Sequence, residues 1–264
     1  MRDSAAEGAP SVADRVFVVL ECCAAGNRPL TLVDLVERTG LPKTTLHRVC
    51  WKLVGLGMLE HSEAGFEIGT KLFALGGMNP SLRRLRVAAM PLMHTLVQRT
   101  GMATNLAVLA QERALIVEEV YGKQTPPMRR MVGAGLPLTA TAVGKALLAG
   151  LSPDELDARL DVEVLRPYTR STVVRPNLLR DQIAKVRRTG VAFSYEEWSV
   201  GASGVAAPVI VGGRLVCAIA IVGTLTPDQL RGLAAPVRGT ATWLTRALES
   251  SYRPVTPATR PAAA

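Results

Sequence analysis

The sequence predicts an α+β fold in two parts: a small helical unit ending in a β-hairpin, and a larger domain whose helices flank an antiparallel-rich sheet. Three observations predict it. Apolar residues recur at helical spacing through the first fifty-odd positions, a hairpin pattern follows at Met58–Ile68, and beyond Gly101 short apolar runs alternate with capped helical segments. With 264 residues, 48% hydrophobic and 20% charged, the chain is long and apolar enough for two cores and too apolar to be disordered.

In the first part, Val12, Val16, Val19, Leu20 and Cys23 mark an amphipathic helix over 12–25, closed by Gly26-Asn27. Thr31 stands three residues before Asp34, a capping box for a second short helix. Thr39-Gly40-Leu41-Pro42 interrupts it. A third helix runs from about Lys43 to Leu56, with Leu46, Val49, Cys50 and Leu53 on one face and Lys43, Thr44, Thr45, His47, Arg48 and Lys52 largely on the others. Met58–His61, a turn at Ser62–Gly65 and Phe66–Ile68 read as a hairpin wing, acidic at Glu60, Glu63 and Glu67.

Two short helices joined by a tight turn, with cations and hydroxyls on the second, form a helix-turn-helix signature. Lys and Arg neutralise phosphates, and Thr44 and Thr45 sit at a helix N-terminus whose N–H groups favour phosphate oxygens. The window Arg38–Lys52 carries +4 with no acid, although residues 1–79 net −1 and residues 80–264 net +10. A basic balance (net +9) invites a polyanionic partner without proving one. Three-helix units with a hairpin also mediate protein contacts, so a protein-binding module stays open on pattern alone.

A connecting helix is expected at 71–79 and a long amphipathic helix from Leu82 to Thr100, with Arg83, Arg84, Arg86 and Arg99 outward. Strands are expected at Thr104–Ala110, Leu115–Tyr121 and Met128–Val132, then loop and helix over Gly133–Gly150. Ser152-Pro153-Asp154-Glu155 starts a helix and Leu178–Thr189 forms another. Strands follow at Val191–Tyr195, Val205–Val211 and Leu215–Val222, and Thr226-Pro227-Asp228 opens a last helix to about Glu249. The near-continuous apolar run Val205–Val222 is broken by Pro208 and Gly212-Gly213-Arg214, so it reads as two buried strands rather than a membrane helix. The four Cys form no C-x-x-C and the three His no metal spacing, so no metal or cofactor is expected and the thiols read as apolar fillers. No charged head precedes an apolar run at the N-terminus, so no signal peptide is expected.

Taken in order, Ser11-Val12-Ala13-Asp14-Arg15, Leu41-Pro42-Lys43-Thr44-Thr45-Leu46-His47-Arg48, the stretch from Pro137 to Ala149, Glu196-Glu197 and Val205-Ala206-Ala207-Pro208-Val209 make the chain resemble an IclR-type bacterial transcriptional regulator. The resemblance covers roughly residues 11–249. It implies a winged helix-turn-helix over 11–69, a linker helix over 70–80, and a GAF-like α/β effector-binding domain over 81–250, with disordered ends at 1–10 and 251–264. It also implies a cytoplasmic, nucleoid-associated dimer, often paired into a tetramer, that binds double-stranded operator DNA and controls a catabolic operon, more as repressor than activator. Arg15, Lys43, Thr44, Thr45, His47, Arg48 and Lys52 are the DNA-binding candidates.

The segment from Gly133 to Lys145 is also informative by itself. Thr141, Ala142 and Val143 would sit at a helix N-terminus, where free N–H groups attract a carboxylate, or would simply be a capped, closely packed helix start. Family members that bind small polar acids place an Asp, a Cys and two Ser where this chain, by position, has Ser194, Gly204, Ala220 and Val222. Those replacements remove charge or grease the site, so the expected effector is a bulkier, less polar acid, such as an aromatic acid or its derivative. Met128, Met131, Leu136, Leu138, Phe193 and Trp198 complete the candidate pocket; for Met128, Met131 and Phe193 plain core packing is the alternative.

An enzyme is the main rival reading. Gly201-Ala202-Ser203-Gly204 lacks the spacing of a nucleophile elbow. Glu196-Glu197 could serve as acid and base, but a solvated pair at a strand end is expected instead.

Overall fold

In the computed structural model, residues 11–123, 131–162 and 165–250 are described. The ends expected to be disordered, 1–10 and 251–264, lie outside the described residues, as does Met128. The chain divides into two compact units between Arg83 and Arg84.

The first unit opens with α1 (Val12–Ala25) and α2 (Leu32–Thr39), each begun by a reciprocal capping box: Ser11 with Asp14, and Thr31 with Asp34. Arg28 grips the Asp34 carboxylate through two nitrogens, at 2.8 and 3.0 Å. Gly40 ends α2 in the left-handed region (φ 67°), which turns the chain into α3 (Lys43–Gly55). The hairpin is β1 (Leu59–Ser62) paired with β2 (Gly65–Ile68). Leu30 exchanges both backbone hydrogen bonds with Phe66 at 2.8 Å, tying the chain ahead of α2 to the wing. Val19, Leu35, Leu46, Cys50, Leu53, Leu59 and Phe66 form one buried cluster, each large aliphatic or aromatic member contributing about 1.5–3 kcal/mol by burial. A short helix, α4 (Thr70–Gly77), follows.

α5 (Pro80–Thr100) leads into the second unit. Its strands are β3 (Ala103–Ala110), β4 (Arg113–Val120), β5 (Gly135–Pro137), β6 (Ala192–Ser199), β7 (Ala202–Val211) and β8 (Arg214–Gly223). They form one antiparallel sheet in the order β5-β4-β3-β8-β7-β6. The apolar run Val205–Val222 is indeed two strands, β7 and β8, turned by Gly212 and Gly213 at φ 55° and 75°. Of the strand expected at Met128–Val132, residues 128–130 lie outside the described residues; Met131 and Val132 are loop and turn, and the edge strand is β5. Gly133, at φ 86°, turns the chain between them, and its N–H and the Ala134 carbonyl already pair with Ile116 on β4.

α6 (Ala142–Ala149) lies against β6, β7 and β8, while α7 (Pro153–Val162) and α8 (Pro176–Thr189) follow it in the chain, α8 packing on α6. α9 (Pro227–Glu249), opened by the Thr226–Gln229 capping box, packs on β7 and β8. Most of the sheet residues clustered with α6 are small, Ala107, Ala114, Ala192, Ala206, Ala218 and Ala220, with Ile116 and Leu136 the large ones. Their neighbours along the strands, Val205, Ile219 and Ile221, are buried as well, so the central strands are covered on both faces. No helix among the described residues is long and apolar enough to cross a membrane.

Gly144 shows how closely α6 is seated. A Cβ there would stand 2.4 Å from the Leu138 carbonyl oxygen and 2.5 Å from its Cα, both backbone atoms that cannot swing aside. Gly144→Ala is therefore expected to lower stability by about 1–3 kcal/mol in urea unfolding; an unchanged midpoint would show that α6 is free to shift.

Candidate functional site

Two surfaces gather the chemistry. On the first unit, α3 begins at Lys43 behind Pro42, which has no side chain to cap the helix, and there is no acid in its first turn. Its leading N–H groups are therefore available to an external acceptor. Lys43, Thr44, His47, Arg48 and Lys52 are exposed, Thr45 is half-buried, and Leu46, Cys50 and Leu53 anchor the helix in the core. Lys43, Arg48 and Lys52 form no ion pair among the described residues. Arg15 is half-buried on α1, its Nε donating to the Ser11 carbonyl at 3.2 Å. Trp51 was not singled out from the sequence. Its ring sits between His47 and His61, with centroids at 6.2 and 4.8 Å, and so connects α3 to the wing.

On the second unit a cavity of about 50 Å³ opens beside the start of α6. Met131, Leu136, Thr141, Ala142, Val143, Ser194, Trp198, Gly204, Ala220 and Val222 line it, joined by Asn105, Ala202, Ser203 and Ile221. Leu138 is fully buried in the core behind it, and Phe193 faces the other way on β6, stacked on Tyr195 at 6.0 Å. Register explains the gathering. Ser194 pairs with Gly204, Gly204 with Val222, and Asn105 with Ala220, so neighbouring strands deliver residues to one patch. Asn105, Ala202, Ser203 and Ile221 were missed because no local pattern marks a strand residue as lining a cavity.

Most of the polar wall is already engaged. The Thr141 hydroxyl donates to the Pro137 carbonyl at 2.7 Å and accepts the Gly144 N–H at 3.1 Å. The N–H groups of Ala142 and Val143, in the same first turn, have no acceptor within the helix and form the positive end of its dipole. The Ser194 hydroxyl donates to the Ala140 carbonyl at 3.0 Å.

Directly behind the cavity lies a buried ion pair. Lys145 on α6 is 1% exposed and Glu197 on β6 is 3% exposed. Lys145 Nζ donates to both Glu197 oxygens, at 2.5 and 2.6 Å, and more weakly to the Phe193 carbonyl at 3.4 Å. Burial pushes the ammonium below the ordinary lysine range, and the carboxylate offsets part of that shift. The backbone here is strained: Glu196 sits at φ 54°, within an irregularity between Tyr195 and Ser199. Thr169 and Thr172 hold that kink, donating to the carbonyls of Glu196 (2.7 Å) and Glu197 (2.6 Å). The solvated Glu196-Glu197 pair expected from sequence is thus corrected, because α6 brings a cation that no sequence spacing announces.

Burial disfavours the thiolate of three cysteines, Cys23, Cys50 and Cys217. Burial raises Cys23 to about 12 and Cys50 to about 11. Ser203 lies inside β7, paired with Tyr195 and Gly223, rather than on a strand-to-helix turn. Among the described residues no group of three His, Cys, Asp or Glu could hold a metal.

A winged helix-turn-helix followed by a cavity-bearing α+β domain is a build suited to a ligand-responsive transcriptional regulator. Comparison with known proteins specifies which kind. Residues 12–63 match the IclR helix-turn-helix domain, and residues 81–246 match the bacterial transcriptional regulator IclR C-terminal domain. The chain belongs to the IclR family of bacterial transcriptional regulators. It is 32% identical over 191 residues to the acetate operon repressor of Salmonella typhimurium, covering 71% of this chain and 70% of that protein. It is 29% identical over 222 residues to the regulator KipR of Bacillus subtilis, covering 82% and 89%. Among solved structures, an IclR homolog of Microbacterium hydrocarbonoxydans complexed with 4-hydroxybenzoate superposes with TM-score 0.80 at 28% identity, covering 91% of this chain and 100% of that one.

The ion pair generates a test. Lys145→Met leaves a buried carboxylate without its partner and is expected to cost about 3–5 kcal/mol in denaturant unfolding, whereas Lys145→Met with Glu197→Leu should recover most of that loss. Additive losses in the double variant would mean the two side chains do not act as a pair.

Proposed function

We propose that this chain is a ligand-responsive repressor of a catabolic operon, binding operator DNA through α3 and sensing an aromatic or otherwise fairly apolar organic acid in the cavity beside α6. The observation that carries the effector class is the cavity wall. Gly204, Ala220 and Val222 stand side by side in it, with Met131, Leu136 and Trp198 around them and no charged side chain among its lining residues. A two- or three-carbon acid would find its carboxylate served at the α6 N-terminus and little else polar to hold it. An aromatic acid would bring apolar area to match the wall, worth about 25 cal/mol per Å² removed from water. The bound 4-hydroxybenzoate of the Microbacterium homolog supports this class.

At about 50 Å³ the cavity is smaller than the roughly 150 Å³ that holds a benzene ring in an engineered protein core. Entry of a ring must displace part of the wall, and the half-buried side chains of Met131 and Trp198 are the parts able to move. An effector that binds only the widened form supplies the differential affinity that regulation by linkage needs, typically about 1–3 kcal/mol.

For DNA, Lys43, Arg48 and Lys52 neutralise phosphates, Thr44, Thr45 and His47 lie on the same leading turns and reach phosphates or base edges, and Arg15 supports the entry of α1. Self-association as a dimer, or a dimer of dimers, would set two α3 helices about 34–36 Å apart. Exposed apolar side chains on α1 and in and after α4 (Phe17, Phe73 and Met78) support a self-associating surface.

Two measurements test the reading. In calorimetry, benzoate is expected to bind at least tenfold more tightly than glyoxylate or pyruvate; the reverse order would overturn the effector class. In gel shifts with DNA fragments captured from the host genome by the purified protein, Arg48→Ala is expected to weaken binding, and Lys43→Ala to flatten the salt dependence by about one ion, with effector binding unchanged in both. Parallel loss of DNA and effector binding would indicate misfolding and remove the assignment of α3.

A further inference from the structure

The sheet of the second unit has a bare stretch of edge. β6 begins at Ala192, opposite Ala206, so β7 runs on past it from Ala207 to Val211 with no strand on that side among the described residues. Residues from the end of α8 and from one flank of α9 join this edge to form a groove of about 390 Å³, a volume in the range of small-molecule sites. It stays open because Ala149, Gly190, Ala207 and Ala241 present almost no side chain to it. The groove and the cavity beside α6 draw on the same helix and strand but share no residue. The cavity takes Ala142, Val143 and Ala202 to Gly204, whereas the groove takes Ala149, Ala207, Pro208 and Ile210.

The charges of the groove are all of one sign. Arg187 on α8 and Arg238 on α9 line it, and no acidic side chain does. Neither arginine forms an ion pair among the described residues. Both are exposed, yet both are held by backbone. Arg187 donates through Nε to the Ala149 carbonyl at 3.1 Å and through Nη2 to the Leu151 carbonyl at 2.8 Å, and Arg238 donates through Nη1 to the Thr189 carbonyl at 3.1 Å. The two guanidiniums are thus placed before any ligand arrives. Each carries five N–H donors, and the rest of them meet no acceptor among the described residues. Thr245, half-buried in the same wall, has a hydroxyl with no hydrogen bond among the described residues.

We propose that this groove is a second ligand site, separate from the cavity beside α6, for a small organic dianion: a dicarboxylate or a phosphate monoester. Planar guanidiniums from two different helices offer forked, charge-assisted hydrogen bonds to oxyanions, a geometry that lysine cannot supply. Thr245 adds a hydroxyl, and Ala207, Pro208 and Ile210 give a short carbon body an apolar floor. A monoanion engages one guanidinium and leaves the other unsatisfied, and that difference is the source of selectivity. The site stands or falls independently of which acid enters the cavity beside α6.

The full chain is titrated calorimetrically at low salt with succinate, glutarate and methyl phosphate, and with butyrate as a monoanion of the same carbon length as succinate. At least one dianion is expected to bind about tenfold or more tightly than butyrate, and which one leads distinguishes the dicarboxylate from the phosphate ester. Arg187→Gln and Arg238→Gln should each weaken that dianion about tenfold. Arg188→Gln removes an equal charge from an exposed residue of α8 that does not line the groove, and should change binding by less than about twofold. Thr245→Val disturbs neither arginine's hold on the backbone and should weaken binding by about twofold or more, so the proposal is still tested if an arginine variant loosens the fold. Binding of none of the dianions, or binding of butyrate as tight as theirs, overturns the proposal. Equal losses from Arg188→Gln and Arg238→Gln would trace the binding to diffuse surface charge and overturn it as well, as would affinity unchanged in both Arg238→Gln and Thr245→Val.

Discussion

The second unit depends on one buried contact, the ammonium of Lys145 held between both oxygens of Glu197. Two charges removed from water cost several kcal/mol each, and only close, hydrogen-bonded geometry repays it. The pair therefore permits little play between α6 and β6. One partner sits four residues past the N-cap Thr141, so the first turn of α6, with its free N–H groups, is fixed relative to the sheet. The other sits next to Trp198, so a large side chain of the cavity wall inherits its position. The left-handed backbone of Glu196 is tolerated because the hydroxyls of Thr169 and Thr172 and the ion pair hold it from both sides.

Around that contact, the cavity exists because small residues face one another. Alanines at 107, 192, 206, 218 and 220 let α6 approach the sheet closely, and Gly144 lets its backbone touch that of Leu138. Close seating at Gly144 and vacant volume at Gly204 come from the same residue choice. Where the helix backbone fills the space the contact is tight, and where the helix begins the missing side chains leave room. This arrangement aims a helix N-terminus at an apolar chamber, a geometry suited to an organic anion with an apolar body.

The two units differ in how they present charge. The helix α3 offers cations that no carboxylate pairs with among the described residues, on a scaffold of buried Leu46, Cys50 and Leu53. The cavity domain carries most of the chain's excess positive charge yet buries Lys145 in a pair with Glu197. Net charge thus gives little guidance to where chemistry happens, and pairing gives a great deal.

Much of this was legible in the residues alone. The helices of the first unit, its wing and the two-strand reading of Val205–Val222 follow from local rules: apolar periodicity over 12–25, a capping box at Thr31, a turn glycine at 40, and paired glycines at 212 and 213. Exposure of Lys43, Thr44 and Arg48 follows from helical periodicity, because the opposite face is apolar. Local rules failed at the edge strand β5, where pairing with β4 rather than intrinsic preference decides the conformation. They failed again at Glu197, whose partner is 52 residues away. The helices, the central strands and the apolar faces could be read along the chain, since those depend mostly on neighbours a few positions away. Only the tertiary structure decided which polar groups meet in the interior, since burial and pairing are set by strand order and helix seating, which bring distant residues within hydrogen-bond reach.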